Sequence, residues 1–329
     1  MRSSRSISIL LLIASQACWG LATVMAKHVL TDIPPVTLLA VQLLTSVIFL
    51  WGVVSLRSTV RDAKQQFSPI WSRSNMLQSA WFGILEPGMA YVLIIVGLSR
   101  TSASNSSLLT VLEPIGVLIL AAILLRERLR LSVAVLAALG CIGMVLVAGN
   151  HVLDNNQAPM IGDLLIICGT LMGSLYVVLT RRVILHADPL MLTAMQQTFG
   201  LIFVLLVWIV AVLGNERQYL AHVPLSSWLW AIGSGVVQYS LAFWFYWTGA
   251  KNMPAGIASV FLMLIPVFGV GGAYLFLGEQ LTVYQWAGAG LILLALAGIS
   301  RAHQVSDVKM RVNSPQTTPR RNRRAVWES

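Results

Sequence analysis

Ten apolar runs, each long enough to cross a bilayer, constrain this chain more than any other feature. They lie at about 7–27, 36–56, 76–98, 104–125, 131–149, 161–180, 189–213, 227–249, 256–277 and 283–300. A hydrocarbon core about 30 Å thick takes about 20 apolar residues to cross as a helix. Inside lipid every backbone N–H and C=O must pair within the protein, which leaves helices or closed barrels. The runs lack the strict apolar–polar alternation of barrel strands, so they read as helices. Charged residues make up only 10% of the 329 residues, against roughly 25% in soluble domains. The expected fold is an all-α membrane protein of ten transmembrane helices.

The net charge of +10 raises nucleic acid as a partner, but its placement argues against one. With the N-terminus in the cytoplasm and all ten runs crossing, 19 of the 22 Lys and Arg residues fall on the cytoplasmic side, and only Lys27, Arg100 and Arg217 fall outside. That is the positive-inside pattern, and it places both termini in the cytoplasm. The start could be read as a signal peptide cut after Ala17, but its apolar run continues through Met25 and its removal would leave an odd number of spans. Residues 302–329 form a basic tail expected to be disordered and cytoplasmic, with contact to anionic lipid as the alternative. Cys18, Cys141 and Cys168 lie in apolar runs without metal-ligand spacing, and no cofactor is implied.

The two halves repeat. "SLLTVLEPIGVLILAAILLRERL" from Ser107 aligns with "SVFLMLIPVFGVGGAYLFLGEQL" from Ser259 at an offset of 152, which sets Pro114 on Pro266 and Glu127 on Glu279. "LLAVQLLTSVIF" from Leu38 aligns with "LTAMQQTFGLIF" from Leu192 at an offset of 154, which sets Gln42 on Gln196. The units are residues 1–150 and 156–301, five spans each. An odd number of spans makes the second unit enter from the opposite face, so the repeats are inverted. That is an architecture of secondary transporters, which bind near the midplane between the repeats.

These segments carry a resemblance. "CWGLATVMAK" in the first span, "LEPIGVLILAAILLRERL" across the fourth and "LIPVFGVGGAYLFLGEQL" across the ninth resemble the drug/metabolite transporter superfamily, specifically its EamA-type members. The resemblance implies a ten-helix fold whose central cavity is lined by spans 1–4 and 6–9, with spans 5 and 10 peripheral. It also implies efflux of small metabolites, commonly amino acids. Many members carry an Arg in the second span where this chain has Gln42.

Polar residues inside the spans are the candidate site. A charge at a helix centre costs about 2.5–3.5 kcal/mol on insertion scales, and such residues normally face a bundle interior or a wet cavity. Glu113 precedes Pro114 in the fourth span, and Ser106 and Thr110 share its helical face. Pro114 cannot bond to the Thr110 carbonyl, which is expected to be free. The mate span keeps Pro266 but has Ile265 in place of the acid. Glu86 precedes Pro87 in the third span, on the face of Gly83, Ala90 and Gly97; its mates are Gln238 and Tyr239. The three prolines are read as shaping helices and the two acids as candidate substrate or proton sites. If the acids lie together, they titrate as a coupled pair.

Further candidates are Trp19 and Thr23, which share a face of the first span with Gln16 and Lys27, together with Gln42, Gln196 and Gln197. In the eighth span Gln238, Tyr239 and Tyr246 share a side, where two tyrosines beside a carboxylate can hold a cation. Packing is the competing reading of that aromatic stripe, and helix bridging that of the glutamines. Thr170 and Ser174 are weak candidates in the sixth span.

An intramembrane enzyme is the rival of a different class, and a membrane scaffold another. The chain has no HExxH motif and no P-loop, and its five histidines fall in or near loops. The expectation is therefore a carrier, not an enzyme. It would export a small polar, amino-acid-like metabolite across a bacterial inner or plasma membrane by alternating access, with possible proton coupling. A multidrug or cationic-compound efflux carrier is the alternative. The expected partners are the solute and the bilayer, with no nucleic acid; the oligomeric state stays open.

Overall fold

The computed structural model describes residues 2–60, 73–100, 109–110, 112–126, 131–148, 160–213, 223–277, 282–284, 286–295 and 297–298. They form ten helical spans. Helix α1 is Arg2–Val29, α2 Pro35–Val60, α4 Leu112–Leu124, α5 Leu131–Ala148, α6 Met160–Ile184, α7 Pro189–Ala211 and α10 Trp286–Ala295. Three spans are interrupted. Helix α3 comprises Arg73–Gly83, a kinked segment Ile84–Met89 in which Glu86 leaves helical geometry, and Ala90–Leu98. Helix α8 comprises Leu225–Gly235, a π turn at Val236–Leu241, and Ala242–Ala250. Helix α9 comprises Ala255–Val260, a 3-10 turn at Phe261–Leu264, and Ile265–Leu277.

Local chemistry explains where helices begin. Asp188 caps α7 by accepting the Met191 N–H at 3.1 Å, and Pro189 takes the first helical position, where its missing N–H costs nothing. Pro35, Pro224 and Pro254 stand at the starts of α2, α8 and α9. Leu10, Ile48, Leu131, Leu206, Leu225 and Leu294 point outward, as a lipid-facing surface requires.

The helices pack in a pattern that survives exchange of helix n with helix n + 5. Helix α1 lies against α8 and α9, while α6 lies against α3 and α4. Helix α2 packs on α8, α7 packs on α3, and α2 and α7 pack on each other. The α2–α7 pair is tied in both directions: Trp51 donates to Thr198 at 2.9 Å, and Trp208 donates to Thr37 at 3.0 Å. Helix α5 borders α10 through Gly143, which sits against Gly288 and Ile292.

The basic residues of the described spans sit at helix ends. At one end of the bundle Arg57 pairs with Asp188 at 3.4 Å, Arg181 donates to the Lys251 carbonyl at 3.2 Å, and Lys251 donates to the Ala187 carbonyl at 2.7 Å. Arg182 donates to the Leu124 carbonyl at the end of α4, where carbonyls lack helical partners. At the opposite end Ser227 bonds Asp32, beyond Lys27 in the last turn of α1.

Candidate functional site

Two interrupted spans frame the site. The kinked segment of α3 and the π turn of α8 start at Ile84 and Val236, and these positions are separated by the offset at which the sequence motifs align. Gly83 and Gly235 stand directly before them. A Cβ on Gly83 would strike the Gln196 carbonyl, and one on Gly235 would lie 2.5 Å from the Gln42 carbonyl. The two crossings, α3 on α7 and α8 on α2, are therefore so close that only glycine fits. Pro87 follows the kink at Glu86, whereas its mate Tyr239 lies in a π turn for which no such break is seen. The two interruptions share a position in the repeat but not a geometry.

Glu86 has extended backbone angles (φ −150°, ψ 126°) and separates two helical pieces of α3, a conformation favoured before proline. The straight-helix expectation that Gly83, Ala90 and Gly97 share one face with Glu86 fails for Gly83, which meets α7, while Ala90 and Gly97 lie against Gly169, Gly162 and Ile166 of α6, the helix that Glu86 meets at Gly173.

The two acids meet at Gly173 of α6. Glu86 Oε2 lies 3.1 Å, and Glu113 Oε1 3.6 Å, from where a Cβ on Gly173 would be. Glu86 is only 6% exposed, and its Oε2 has no hydrogen-bond partner. The Ser174 hydroxyl lies 3.1 Å from the Glu113 carbonyl and 3.0 Å from the Thr170 carbonyl, which holds α4 on α6 beside the acids. The Thr110 carbonyl is not free as expected: it accepts the Glu113 N–H at 3.0 Å, because the chain tightens before α4 starts. Thr110 belongs to that turn, so it does not continue a helical polar face with Glu113. Ser106 lies outside the described residues. Pro114 and Pro266 both fall in the first turn of a helical segment, α4 and Ile265–Leu277, where a proline is tolerated.

Aromatic side chains surround the acid pair. Phe243 is central, with ring centroids 5.1 Å from Trp19, 6.3 Å from Tyr91, 6.2 Å from Tyr176 and 6.3 Å from Tyr239. Tyr246 packs on Trp19 at 5.6 Å and on Trp247 at 5.1 Å. Glu86 is in electrostatic reach of Tyr91, Tyr176, Tyr239 and Tyr246. The hydroxyls of Tyr239 and Tyr246, Trp19 Nε1 and Gln238 Oε1 are buried without hydrogen-bond partners, a costly state for buried polar groups.

The structure sorts the expected residues. It brings together Glu86, Glu113, Trp19, Tyr239 and Tyr246, with Gln238 near Tyr91 at their edge. Gln196 is committed elsewhere: its Oε1 accepts from Tyr176 at 2.8 Å and its Nε2 donates to Thr180 at 3.3 Å. Gln42 donates to Ser234 at 2.8 Å. Both glutamines bridge helices at the glycine crossings. Thr23 returns its hydroxyl to the Trp19 carbonyl at 2.8 Å. Sequence reasoning missed Tyr91, Tyr176 and Gly173. Tyr91 follows Glu86 by five residues, a spacing that an unbroken helix would not align but that the kink at Glu86 brings within electrostatic reach. Gly173 has a mate as well. Gly20 of α1 sits against the Ile265 carbonyl as Gly173 sits against Glu113.

The frame is thus duplicated while its chemistry is not. Glu86 and Glu113 stand in one copy, Gln238 and Ile265 in the other.

Comparison with known proteins fits this frame. The model of the EamA-like transporter family matches residues 6–149 and 160–301. The chain belongs to that family. It is an EamA-type membrane protein of ten helical spans and a transporter, not an enzyme. An "uncharacterized transporter" of Archaeoglobus fulgidus is 25% identical over 285 residues, spanning 84% of this chain and 93% of the relative. The uncharacterized transporter YyaM of Bacillus subtilis is 27% identical over 227 residues, 68% of this chain and 73% of the relative. One solved crystal structure superposes with a TM-score of 0.74 at 18% identity, covering 94% of this chain and 99% of the other. That likeness concerns the fold of this EamA transporter alone.

Proposed function

We propose that this transporter is a secondary carrier that exports a small polar solute bearing an amino group, amino-acid-like or cationic. It works by alternating access between units of residues 1–150 and 156–301, inserted in opposite senses in the plasma membrane with both termini in the cytoplasm. The observation that carries this reading is the convergence of Glu86 and Glu113 on Gly173. Acids of α3 and α4, from the first unit, meet α6 of the second in the bundle interior. A group bound there contacts both units, so its binding free energy can bias their relative orientation. The carboxyls can accept protons, which provides a route to proton coupling.

The test is transport by purified protein in proteoliposomes, with solutes screened for saturable counterflow. Counterflow is expected for an amino-bearing solute. Glu113→Gln is expected to abolish it or to remove its pH dependence while leaving melting behaviour intact. Flux in that variant with the parent's rate and pH profile would remove Glu113 from the mechanism. Flux that is linear in solute concentration and without counterflow would mark a channel instead.

A further inference from the structure

The charge inventory of the acid pair narrows the solute. Glu86 and Glu113 face each other across Gly173, and no basic side chain lies between them among the described residues. Every described Lys or Arg stands at a helix end, in the first or last turn of a span or just beyond it. Arg181 is the basic residue that bears on Tyr246, and its guanidinium donates to the Lys251 carbonyl at the end of the bundle. The groups in electrostatic reach of the acids are thus each other, Tyr91, Tyr176, Tyr239 and Tyr246, with Arg181 beyond.

Among the unpartnered atoms, Glu86 Oε2 and Gln238 Oε1 only accept hydrogen bonds, the Tyr239 and Tyr246 hydroxyls can turn a lone pair toward a donor, and Trp19 Nε1 only donates, so acceptors outnumber it around the acid pair. An ammonium group is a donor without acceptors. The Tyr and Phe rings nearby present the negative faces to which cations are attracted. A carboxylate on the solute would meet two acids and no basic partner.

We propose that the Glu86–Glu113 pair, with the surrounding tyrosines, binds a monovalent organic cation that lacks a carboxylate, a protonated amine or quaternary ammonium. This rests on the carrier reading of the same site and sharpens its solute class. Cation and proton compete for the pair: a proton leaving the carboxyls passes to water as the cation enters.

A charge series with one constant ring tests this by calorimetry on the purified full-length chain. The probes are phenethylamine, phenylalanine and 3-phenylpropionate, at about pH 8, where the amine is protonated. Phenethylamine is expected to bind, phenylalanine at least about tenfold more weakly, and phenylpropionate not at all. At about pH 6 the amine should bind more weakly, by up to about tenfold per pH unit if one proton is displaced. Glu86→Gln should lose about tenfold or more in amine affinity. Tyr239→Leu should also weaken it, whereas Tyr239→Phe, which keeps the ring, should lose less. These two variants carry the test if Glu86→Gln does not fold. Phenylalanine or phenylpropionate binding as tightly as the amine overturns the inference. So does amine binding that is unchanged in Glu86→Gln or indifferent to pH, or no binding of any probe. Counterflow of a zwitterionic solute alongside such a result would leave the carrier reading standing, so the two failures are distinguishable.

Discussion

Gly173→Ala separates the site from the scaffold, because its mate Gly20 holds the equivalent place in the other copy of the frame. A Cβ at Gly173 would lie 3.1 Å from Glu86 Oε2, 3.6 Å from Glu113 Oε1 and 3.7 Å from Glu86 Cδ. Two of these three atoms are the tip of one side chain, which can retreat by a few tenths of an ångström. The alanine also gains about 0.8–1 kcal/mol of helix propensity over glycine, which offsets an overpacking cost of about 1 kcal/mol. Stability should change little. Binding should not survive as well, because the methyl group stands between the carboxyls. Losing one hydrogen bond to a charged group costs about 1.5–3 kcal/mol, roughly a 10–150-fold loss of affinity. A Cβ at Gly20 instead meets the Ile265 carbonyl at 2.7 Å, the Gly269 nitrogen at 2.8 Å and Phe268 Cβ at 2.8 Å. These atoms belong to the backbone or lie next to it, so α9 as a whole must shift. Overpacking of about 1–3 kcal/mol should then appear as lost stability. Melting in detergent and phenethylamine calorimetry read the two quantities on each variant. The reasoning fails if Gly173→Ala keeps the parent's affinity within about threefold, or if its melting temperature falls as far as that of Gly20→Ala.

Two further outcomes follow from the scaffold. Trp51→Phe and Trp208→Phe each remove one hydrogen bond of the α2–α7 pair and should cost about 0.5–1.5 kcal/mol apiece. The double variant should show nearly the sum in chemical melting, since the bonds are far apart along the helices. Arg57→Ala breaks the ion pair with Asp188, whose side chains are 41% and 39% exposed; after discounting for solvent screening it should cost well under about 1 kcal/mol. A larger loss of melting temperature, or one insensitive to salt, would show that the pair carries more of the fold than its exposure allows.

Much of the architecture was legible in the residues. Run length fixed helices and their number, because lipid leaves an unpaired backbone no other solution. The repeat at offsets of 152 and 154 located Pro114 against Pro266 and Gln42 against Gln196. Burying an acid in lipid is costly enough to single out Glu86 and Glu113 without coordinates. The helical wheel failed where the helix did. It assumed an unbroken α register through residues 84–89 and 236–241, where α3 kinks at Glu86 and α8 carries a π turn. Tyr91 was therefore overlooked, and Gly83, which meets α7, was placed on the face of Glu86. Between cavity lining and helix bridging the residues alone could not choose for Gln42 and Gln196, because their hydrogen-bond partners lie on other helices.

What the sequence determined by itself was the membrane, the helices and the costly acids, since each follows from the free energy of moving one segment from water to lipid. What only the tertiary structure decided was that Glu86 and Glu113 share Gly173, that an aromatic wall drawn from α1, α3, α6 and α8 surrounds them, and that only one of the two matched frames carries charge at this point. Those facts depend on how closely helices distant in the chain approach, which is set by packing at glycine crossings and not by any local preference.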